Sequence, residues 1–572
     1  MPVSESPSAL ASERTESAQN TPESWSTWPN AGRPVNVREW GTLRKKHSLI
    51  ASTGIVAGAF VASRLLGLIR EVILAQQFGT TEQFSAYVSA FRIPDLLFLV
   101  VMAGAFGSAF IPVFSGLLGN GEDAAAWRLA STVLNISGVV VIVLAALAWL
   151  TAPTLVHYVV APDANPTAQR ITVDCMRILL LSPVFLGWGI AAKGILEGQD
   201  RFTMPALAPI IYNGSTILGA VTLGPRIGVF GVAVGVVTGS IGFLLLQIPD
   251  LIRSGMRYSP SVNPRTPGLS EVARLLAPRL IGQAAFQINF IVLTNLAWRT
   301  GEQSVSALNY AWQLLMLPHG VLALSVSTVL LPTLSRLWQA GDKDAFRARL
   351  ASALQPLIFL SLPTSVVLFA FRTSIVQTLF QTGAFSAEST ALVAAPLALL
   401  ALGLISYAVV ELLTRAFYAM HDTRTPVAAG VAIIAINIAI GVLLLDRFGY
   451  LALALALSAS TTIEALVLTF VLRRRLEFIV PGLGPWLGRV VIATVVTAII
   501  SWVFSPMLSE ITAPGNAPRL IQLALFAIGL AVIGIVYLGC AWILRIPEIC
   551  QIADRALALR SRLVLGLTSA RR

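Results

Sequence analysis

The sequence is poor in charged residues, histidine and cysteine. Charged side chains make up 12% of the 572 residues, whereas soluble domains carry about 25%, and 56% of the residues are hydrophobic. The four histidines and three cysteines show neither metal-ligand nor redox spacing, so the sequence predicts neither a metal site nor a disulfide framework. This composition excludes an ordinary soluble protein.

Motifs for ATP hydrolysis and for catalysis are also missing. No G-x-x-x-x-G-K-[ST] loop occurs, so we predict no enzyme, no catalytic residues and no cofactor. The net charge of +12 could suit nucleic acid, but the Lys and Arg residues lie mostly between apolar runs. Membrane topology explains that placement better, so we predict no nucleic-acid partner.

The chain consists mainly of long apolar runs, each of about 20 residues or more, and such runs predict membrane helices. We predict an all-α membrane protein with about fourteen helices. Their approximate spans are 49–78, 82–118, 128–160, 166–197, 203–223, 227–253, 270–299, 303–338, 346–373, 387–419, 425–445, 449–474, 485–507 and 518–544.

Loop arginines indicate the orientation of these helices. The segments after even-numbered helices carry most of the arginines, and the segments after odd-numbered helices carry few. Because Lys and Arg mark cytoplasmic loops, this asymmetry predicts fourteen crossings with both termini in the cytoplasm. Residues 1–47 are rich in Ser, Glu, Thr and Pro and predict a disordered cytoplasmic tail.

An internal repeat divides the apolar part of the chain. Residues 108–131 resemble residues 327–352, and 198–205 resemble 420–426, with offsets near 220 residues. Parallel repeats are a transporter architecture with the substrate site between the halves. We predict an N-lobe (48–258) and a C-lobe (259–480) of six helices each around a central cavity, two extra helices (481–545) and a basic cytoplasmic tail (546–572).

Charged residues inside the first helix are candidate site residues. Arg64, Arg70 and Glu71 interrupt an apolar run, where a charge usually faces a cavity or a partner. Arg64 and Glu71 are seven residues apart and share a helical face. Two alternatives remain open: Arg70 and Glu71 extend toward the membrane surface, or Arg64 pairs with Glu71.

Further candidates lie in the second, eighth and tenth helices. Arg92 and Asp95 flank Pro94, which should bend the second helix, and an ion pair without a ligand role is the alternative for them. The eighth helix is polar at Ser306 and Gln313. A gradient or the membrane potential would have to drive transport, and Glu71 and Glu411 are weak candidates for ion coupling.

Several of these segments together resemble the MurJ/MviN family. The segments are "SRLLGLIREVILAQQFG" (63–79), "AFRIPDLL" (90–97), "YAWQLLMLPHGVLALSVSTVLLPTLSR" (310–336) and "RAFYAMHDTRTPV" (415–427). The family belongs to the multidrug/oligosaccharidyl-lipid/polysaccharide exporter superfamily. The resemblance implies a flippase that moves lipid II, the undecaprenyl-diphosphate-linked peptidoglycan precursor, across the bacterial cytoplasmic membrane by alternating access.

The resemblance also implies site residues and partners. Arg64 and Arg70 match cavity arginines of the family, and arginine suits a diphosphate because it donates paired hydrogen bonds. The sequence departs from the family at Phe98 and Gln313, where cations are common. The implied partners are the lipid-linked oligosaccharide, membrane lipids and possible cell-wall synthesis proteins. Two alternatives stay open: a flippase for another polyprenyl-linked glycan, and a non-transporting scaffold of the same fold.

Overall fold

The computed structural model describes residues 49–99, 110–477, 482–513, 515 and 518–549, and these residues are predominantly helical. The predicted tail 1–47 and all but the first four residues of the predicted tail 546–572 lie outside them. Helices of the first half of the chain are α1 (Leu49–Phe78), α2 (Glu82–Ala90), α3 (Arg92–Leu97), α4 (Ile111–Gly119), α5 (Asp123–Leu150), α6 (Ala152–Leu155), α7 (Pro166–Leu179), α8 (Ser182–Glu197), α9 (Thr203–Leu218), α10 (Gly224–Ile227), α11 (Val229–Leu245) and α12 (Ile248–Arg253).

The second half of the chain, residues 269–476, contains eight helices, and two more follow it. They are α13 (Leu269–Trp298), α14 (Ser304–His319), α15 (Ser325–Gln339), α16 (Lys343–Ala370), α17 (Arg372–Phe380), α18 (Ala387–Ala419), α19 (Arg424–Phe448), α20 (Leu451–Leu476), α21 (Leu483–Ile511) and α22 (Arg519–Ile543). Below, the first half means residues 49–253 and the second half means residues 269–476.

Eleven of the helical stretches among the described residues are long and apolar enough to cross a membrane. They fall in the predicted spans three to six and eight to fourteen. The first, second and seventh spans are not among them; α1 contains three charged residues, and residues 100–109 of the second span lie outside the described part. The described part of the chain therefore has an all-α architecture, and the chain is a multi-pass membrane protein. The count of fourteen crossings stays a prediction.

Several predicted spans are broken into shorter helices, and prolines mark many of the breaks. Pro153, Pro183 and Pro249 stand in the first turn of α6, α8 and α12, where a missing amide hydrogen costs nothing. Pro318 lies inside α14, which runs on through the π-helical turn Gly320–Leu324 into α15. Such a turn accommodates the bend that proline imposes.

Backbone conformation repeats along the chain with an offset of about 220 residues. Three pairs of connector residues have matching positive φ angles: Gly121 (78°) and Gly341 (73°), Asp200 (59°) and His421 (59°), and Gly228 (62°) and Gly449 (57°). Positive φ is uncommon outside glycine, so its recurrence at Asp200 and His421 is informative. The connectors of the two halves therefore turn in the same way at corresponding places.

The two halves are joined at one end of the molecule, which we call the closed end. It contains the connectors that follow α1, α13 and α17. Tyr310 of the second half stacks on Phe84 of the first, with ring centroids 5.0 Å apart, and also contacts Phe380 and Phe385. Thr80 donates a hydrogen bond to Gln303 (3.0 Å). One hydrophobic core at this end contains residues of both halves.

At the opposite end, which we call the open end, the two halves have separate cores. One core is built on Phe110, Phe114 and Trp127 of the first half, together with the start of α13. The other is built on Phe346, Leu412 and other residues of the second half. Among the described residues, the two halves share an extensive core at the closed end, whereas at the open end only the start of α13 packs on the core of the other half.

Candidate functional site

A cavity of about 540 Å³ lies between the two halves and is called the first cavity below. It is lined by α1, α8 and α9 of the first half and by α14 of the second. Phe380, which belongs to the closed end, lines its inner part. Lys193 and Glu197, in the last turns of α8, and Phe202 in the next connector line its outer part. The cavity therefore reaches from the closed end toward the open end.

Arg70 and Glu71 form an ion pair on the wall of this cavity. The Arg70 guanidinium donates to Oε1 of Glu71 from Nη2 at 2.6 Å and from Nε at 3.2 Å. Its remaining nitrogen, Nη1, donates to Oδ1 of Asn213 in α9 at 3.1 Å. Glu71 therefore pairs with Arg70 and not with Arg64, which was one of the alternatives left open by the sequence. Glu71 and Asn213 together hold the Arg70 guanidinium at the cavity wall.

Arg64 also lines the first cavity but is held more loosely. Its side chain is exposed, and its guanidinium carbon lies 5.3 Å from the ring centroid of Phe60, one turn earlier in α1. Within the described part of the chain, Arg64 forms no ion pair with a carboxylate. The other cations of the cavity, Arg70 and Lys193, face Glu71 and Glu197 at 2.6 Å and 3.7 Å. Arg64 is therefore the cation available to an anion entering the cavity.

A second cavity of about 250 Å³ lies between α3, α13 and α14, and Leu400, Leu453 and Leu457 of α18 and α20 also line it. Arg92 lines this second cavity; its Nε donates to the Thr294 hydroxyl at 2.7 Å, and its guanidinium carbon lies 5.4 Å from the Phe290 ring centroid. These contacts fix Arg92 against α13.

Asp95 shares the second cavity with Arg92, but the two form no ion pair among the described residues. The alternative of a mutual ion pair is therefore not what the structure shows. Gln313 of α14 lines both the first and the second cavity. The two cavities thus meet at Gln313, a residue that the sequence singled out as polar within an apolar helix.

Two further residues from the sequence analysis lie away from both cavities. Ser306 is fully buried: its amide donates to the Ser85 hydroxyl at 3.2 Å, and its own hydroxyl donates to the carbonyl of Gln303 at 2.9 Å. Phe98 packs against the core of Phe110 and Phe114 in the first half. In this conformation Ser306 joins the two halves, and Phe98 fills a core.

The structure adds residues that the sequence reasoning missed. Asn213 was missed as the partner of Arg70, although an isolated amide in the apolar helix α9 was a usable signal. Phe290 and Thr294 were missed as the partners of Arg92, because nothing in their sequence pattern distinguishes them from core residues. Lys193, near the end of α8, also lies in the wall of the first cavity.

Comparison with known proteins places this arrangement in a family. A sequence model described as "Lipid II flippase MurJ" matches residues 74–533. The chain belongs to the MurJ family. Among relatives of this MurJ-family chain, the lipid II flippase MurJ of Burkholderia cenocepacia is 29% identical over 86% of the chain and 96% of the relative. A probable lipid II flippase MurJ of Rhizobium meliloti is 30% identical over 85% of the chain and 92% of the relative.

Solved structures show the same fold. A structure titled "Lipid II flippase MurJ, inward closed conformation" superposes on this MurJ-family chain with a TM-score of 0.71, covering 85% of this chain and 98% of that one at 24% identity. An inward-facing multidrug resistance transporter of the MATE family gives a TM-score of 0.62 at 15% identity. That superposition covers 73% of this chain and 94% of the transporter. The chain therefore has a MurJ- and MATE-like fold. Its membership of the MurJ family, matched over residues 74–533, makes it a transporter rather than an enzyme.

Proposed function

We propose that this protein is a flippase that moves lipid II from the inner to the outer leaflet of the bacterial cytoplasmic membrane for cell-wall synthesis. The named relatives are lipid II flippases, and membership of their family supports the same substrate here. The observation that carries the proposal is the exposed guanidinium of Arg64 in a cavity between two halves of a transporter fold.

The substrate carries a diphosphate, and the first cavity suits that group. Arginine donates planar paired hydrogen bonds to phosphate oxygens and stays charged at every physiological pH. In this proposal Arg64 binds the diphosphate directly. Arg70, held by Glu71 and Asn213, presents a second positive edge nearby, and Gln313 adds a neutral amide. Arg92 and Asp95 contact the head group beyond Gln313, and Ser306 contributes from the closed end when the halves separate.

Transport requires the cavity to open alternately at its two ends, and we propose that the two halves act as the moving lobes. The N-lobe is residues 48–258 and the C-lobe is residues 259–480, each a six-helix pseudo-repeat, with residues 481–545 as helices thirteen and fourteen outside the repeat. The matched connector angles and the separate cores at the open end support this division.

The loop arginines support an orientation with both termini in the cytoplasm. In that orientation the connectors at the open end lie in the cytoplasm and the closed end faces outward. The head group of the substrate then enters from the side on which it is made. We further propose that the terminal segments 1–47 and 546–572 are cytoplasmic tails and that cell-wall synthesis proteins are partners.

Rescue of bacterial cells depleted of their own lipid II flippase tests the proposal. The wild-type protein should restore growth, and Arg64→Ala should not, at equal membrane levels. Arg349→Ala, at an exposed arginine of α16, is the matched control and should rescue like wild type. Gln313→Arg, which adds a cation to the first cavity, should rescue at least as well as wild type.

Two outcomes would contradict the proposal. If Arg64→Ala rescues at the wild-type rate, the cavity cation is not needed. If the wild-type protein does not rescue although it reaches the membrane, lipid II is not its substrate. Flipping of polyprenyl-linked glycans measured in vesicles would then separate another glycan substrate from a non-transporting scaffold.

A further inference from the structure

The second cavity has one aromatic wall. Trp312, Phe286 and Phe290 line it. The ring of Trp312 lies 5.3 Å from that of Phe290 at an interplanar angle of 71°, and 5.6 Å from that of Tyr407 at 81°. Contacts on two sides fix the orientation of the indole. The second cavity thus presents a rigid aromatic surface next to the cavity that contains Arg64.

The rest of the lining includes polar side chains that form no hydrogen bond with the described part of the protein. Asp95, Asn309 and Gln313 all line the second cavity, and none of their side chains forms a hydrogen bond within the described ranges. A carboxylate and amides inside the membrane are costly when they remain unpaired, and such residues usually mark a substrate path. Their hydrogen-bonding capacity is available to a molecule in the cavity.

A cavity that combines an aromatic surface with carboxylate and amide groups matches the apolar face and the hydroxyl groups of a sugar ring. The C–H face of a sugar is apolar and packs against an aromatic ring, while its hydroxyl groups donate to a carboxylate and exchange hydrogen bonds with amides. The volume of about 250 Å³ is just below the range of about 300–1,000 Å³ that is usual for ligand pockets. It therefore suits one small ring rather than a whole head group.

The position of the second cavity agrees with the chemistry of the substrate class. In a polyprenyl-diphosphate glycan the first sugar is bonded directly to the diphosphate. A diphosphate bound at Arg64 and Arg70 would place that sugar close by, and Gln313 lines both cavities. The boundary between the cavities then corresponds to the bond between phosphate and sugar.

We propose that the second cavity is a sugar-binding compartment, in which Trp312 and Phe290 stack on a sugar ring of the transported glycan lipid and Asp95, Asn309 and Gln313 bind its hydroxyl groups. This inference rests on the proposed function, because it takes the diphosphate to lie in the first cavity. According to this inference, residues of α3, α13 and α14 determine which glycan the protein binds.

Equilibrium binding to the purified full-length protein tests the inference, with native mass spectrometry as the readout. The probes are undecaprenyl diphosphate, the same lipid bearing one N-acetylhexosamine, and lipid II. Wild type should bind the one-sugar lipid at least tenfold more tightly than undecaprenyl diphosphate. Trp312→Ala should remove most of that gain while leaving the affinity for undecaprenyl diphosphate within twofold of wild type.

Three further variants separate stacking from general damage. Trp312→Phe keeps an aromatic ring and should retain most of the sugar-dependent gain. Trp338→Ala, at a tryptophan of α15 that packs on Phe346 away from both cavities, should behave as wild type. Arg64→Ala should weaken binding of all three lipids. Because undecaprenyl diphosphate reports on the first cavity, unchanged affinity for it also shows that Trp312→Ala is folded.

The possible results are distinguishable. If wild type binds undecaprenyl diphosphate but gains nothing from the sugar, the compartment assignment is wrong and the proposed function stands. If only lipid II gains affinity, the gain comes from its second sugar or its peptide, which overturns the placement of the first sugar in the second cavity. If Trp312→Ala weakens all three lipids equally, the second cavity is part of the diphosphate site. If wild type binds none of the lipids, the proposed function itself fails.

Discussion

The main-chain amide of Ala384 donates a hydrogen bond of 2.8 Å to the carbonyl oxygen of Gln76. This bond attaches the connector after α17, in the second half, to the last turn of α1, in the first half. Gly79 and Gly383 permit the approach, since both have positive φ angles of 55° and 59°. A Cβ on Gly79 would lie 2.5 Å from the carbonyl oxygen of Ala384. A Cβ on Gly383 would collide with the carbonyl oxygen of Gln76. Direct backbone contact therefore helps keep the closed end shut.

The substitution Gly383→Ala should weaken this contact and favour opening of the closed end. A cysteine at Ser306, which is fully buried between the halves, reports the opening through its rate of labelling by a membrane-impermeant thiol reagent. We expect a severalfold faster rate in Gly383→Ala. Gly341→Ala is the control, because Gly341 has a φ of 73° but nothing within 4 Å of its added Cβ. Equal rates in the two variants would mean that backbone strain, not the contact, controls the labelling.

The pair Arg70 and Glu71 should contribute to stability as well as to transport. Arg70→Ala leaves the Glu71 carboxylate, whose side chain is 10% exposed, without its cation. Breaking a buried ion pair from one side costs roughly 3–5 kcal/mol, and the 24% exposure of Arg70 places the cost at the low end. Thermal unfolding in detergent should show the loss.

A double variant distinguishes the two roles of this pair. Arg70→Met combined with Glu71→Met should recover much of the free energy of unfolding, because it removes both buried charges. It should not recover transport, which needs the cation. Recovery of transport by the double variant would exclude Arg70 from substrate binding.

Cysteine labelling checks the orientation in the membrane. With the native cysteines replaced, a single cysteine at Gln83 should react with an impermeant reagent added outside the cell. A single cysteine at Ala340 should react only after the membrane is permeabilised. Both residues are exposed, and Ala340 is preferable to the neighbouring Asp342, whose carboxylate caps α16 by accepting from the Ala345 amide. The reverse pattern would place the open end outside.

The connector between α18 and α19 contains Asp422, whose carboxylate should make the free energy of unfolding depend on pH. Burial raises the pKa of Asp422, but hydrogen bonds from the hydroxyl and amide of Thr425, and the Arg475 guanidinium, outweigh it and lower the pKa below its ordinary value. Because the folded-state pKa lies below the unfolded value of about 3.9, this stabilisation is present above that pH and disappears as the pH falls through the folded-state pKa.

Asp422→Asn should therefore lower the melting temperature at pH 7, and the difference from wild type should shrink below about pH 4. The control is Asp344→Asn, whose carboxylate is 92% exposed and pairs with Arg347 within the same helix. Exposed pairs contribute little, so this variant should melt like wild type throughout. A pH-independent difference for Asp422→Asn would show that the charge is not the stabilising feature.

The sequence by itself determined the class of protein and many helix positions. A long apolar run is enough to predict a membrane helix, because every backbone group in the bilayer must be hydrogen-bonded within its own segment. The predicted spans 49–78 and 387–419 accordingly coincide with α1 and α18. The cost of an intramembrane charge likewise identified Arg64 and Arg70 as candidate cavity residues, and polarity within an apolar helix identified Gln313. The quoted segments identified the family.

Only the tertiary structure decided how these residues are used. Glu71 pairs with Arg70 rather than Arg64, and Arg70 also bonds Asn213, which is 143 positions away. Ser306 is polar in sequence but is buried against Ser85 of the other half. Such pairings depend on how whole helices pack, and hydropathy along one helix carries no information about its neighbours. The division into a cationic cavity and an aromatic one, which meet at Gln313, arises from that packing.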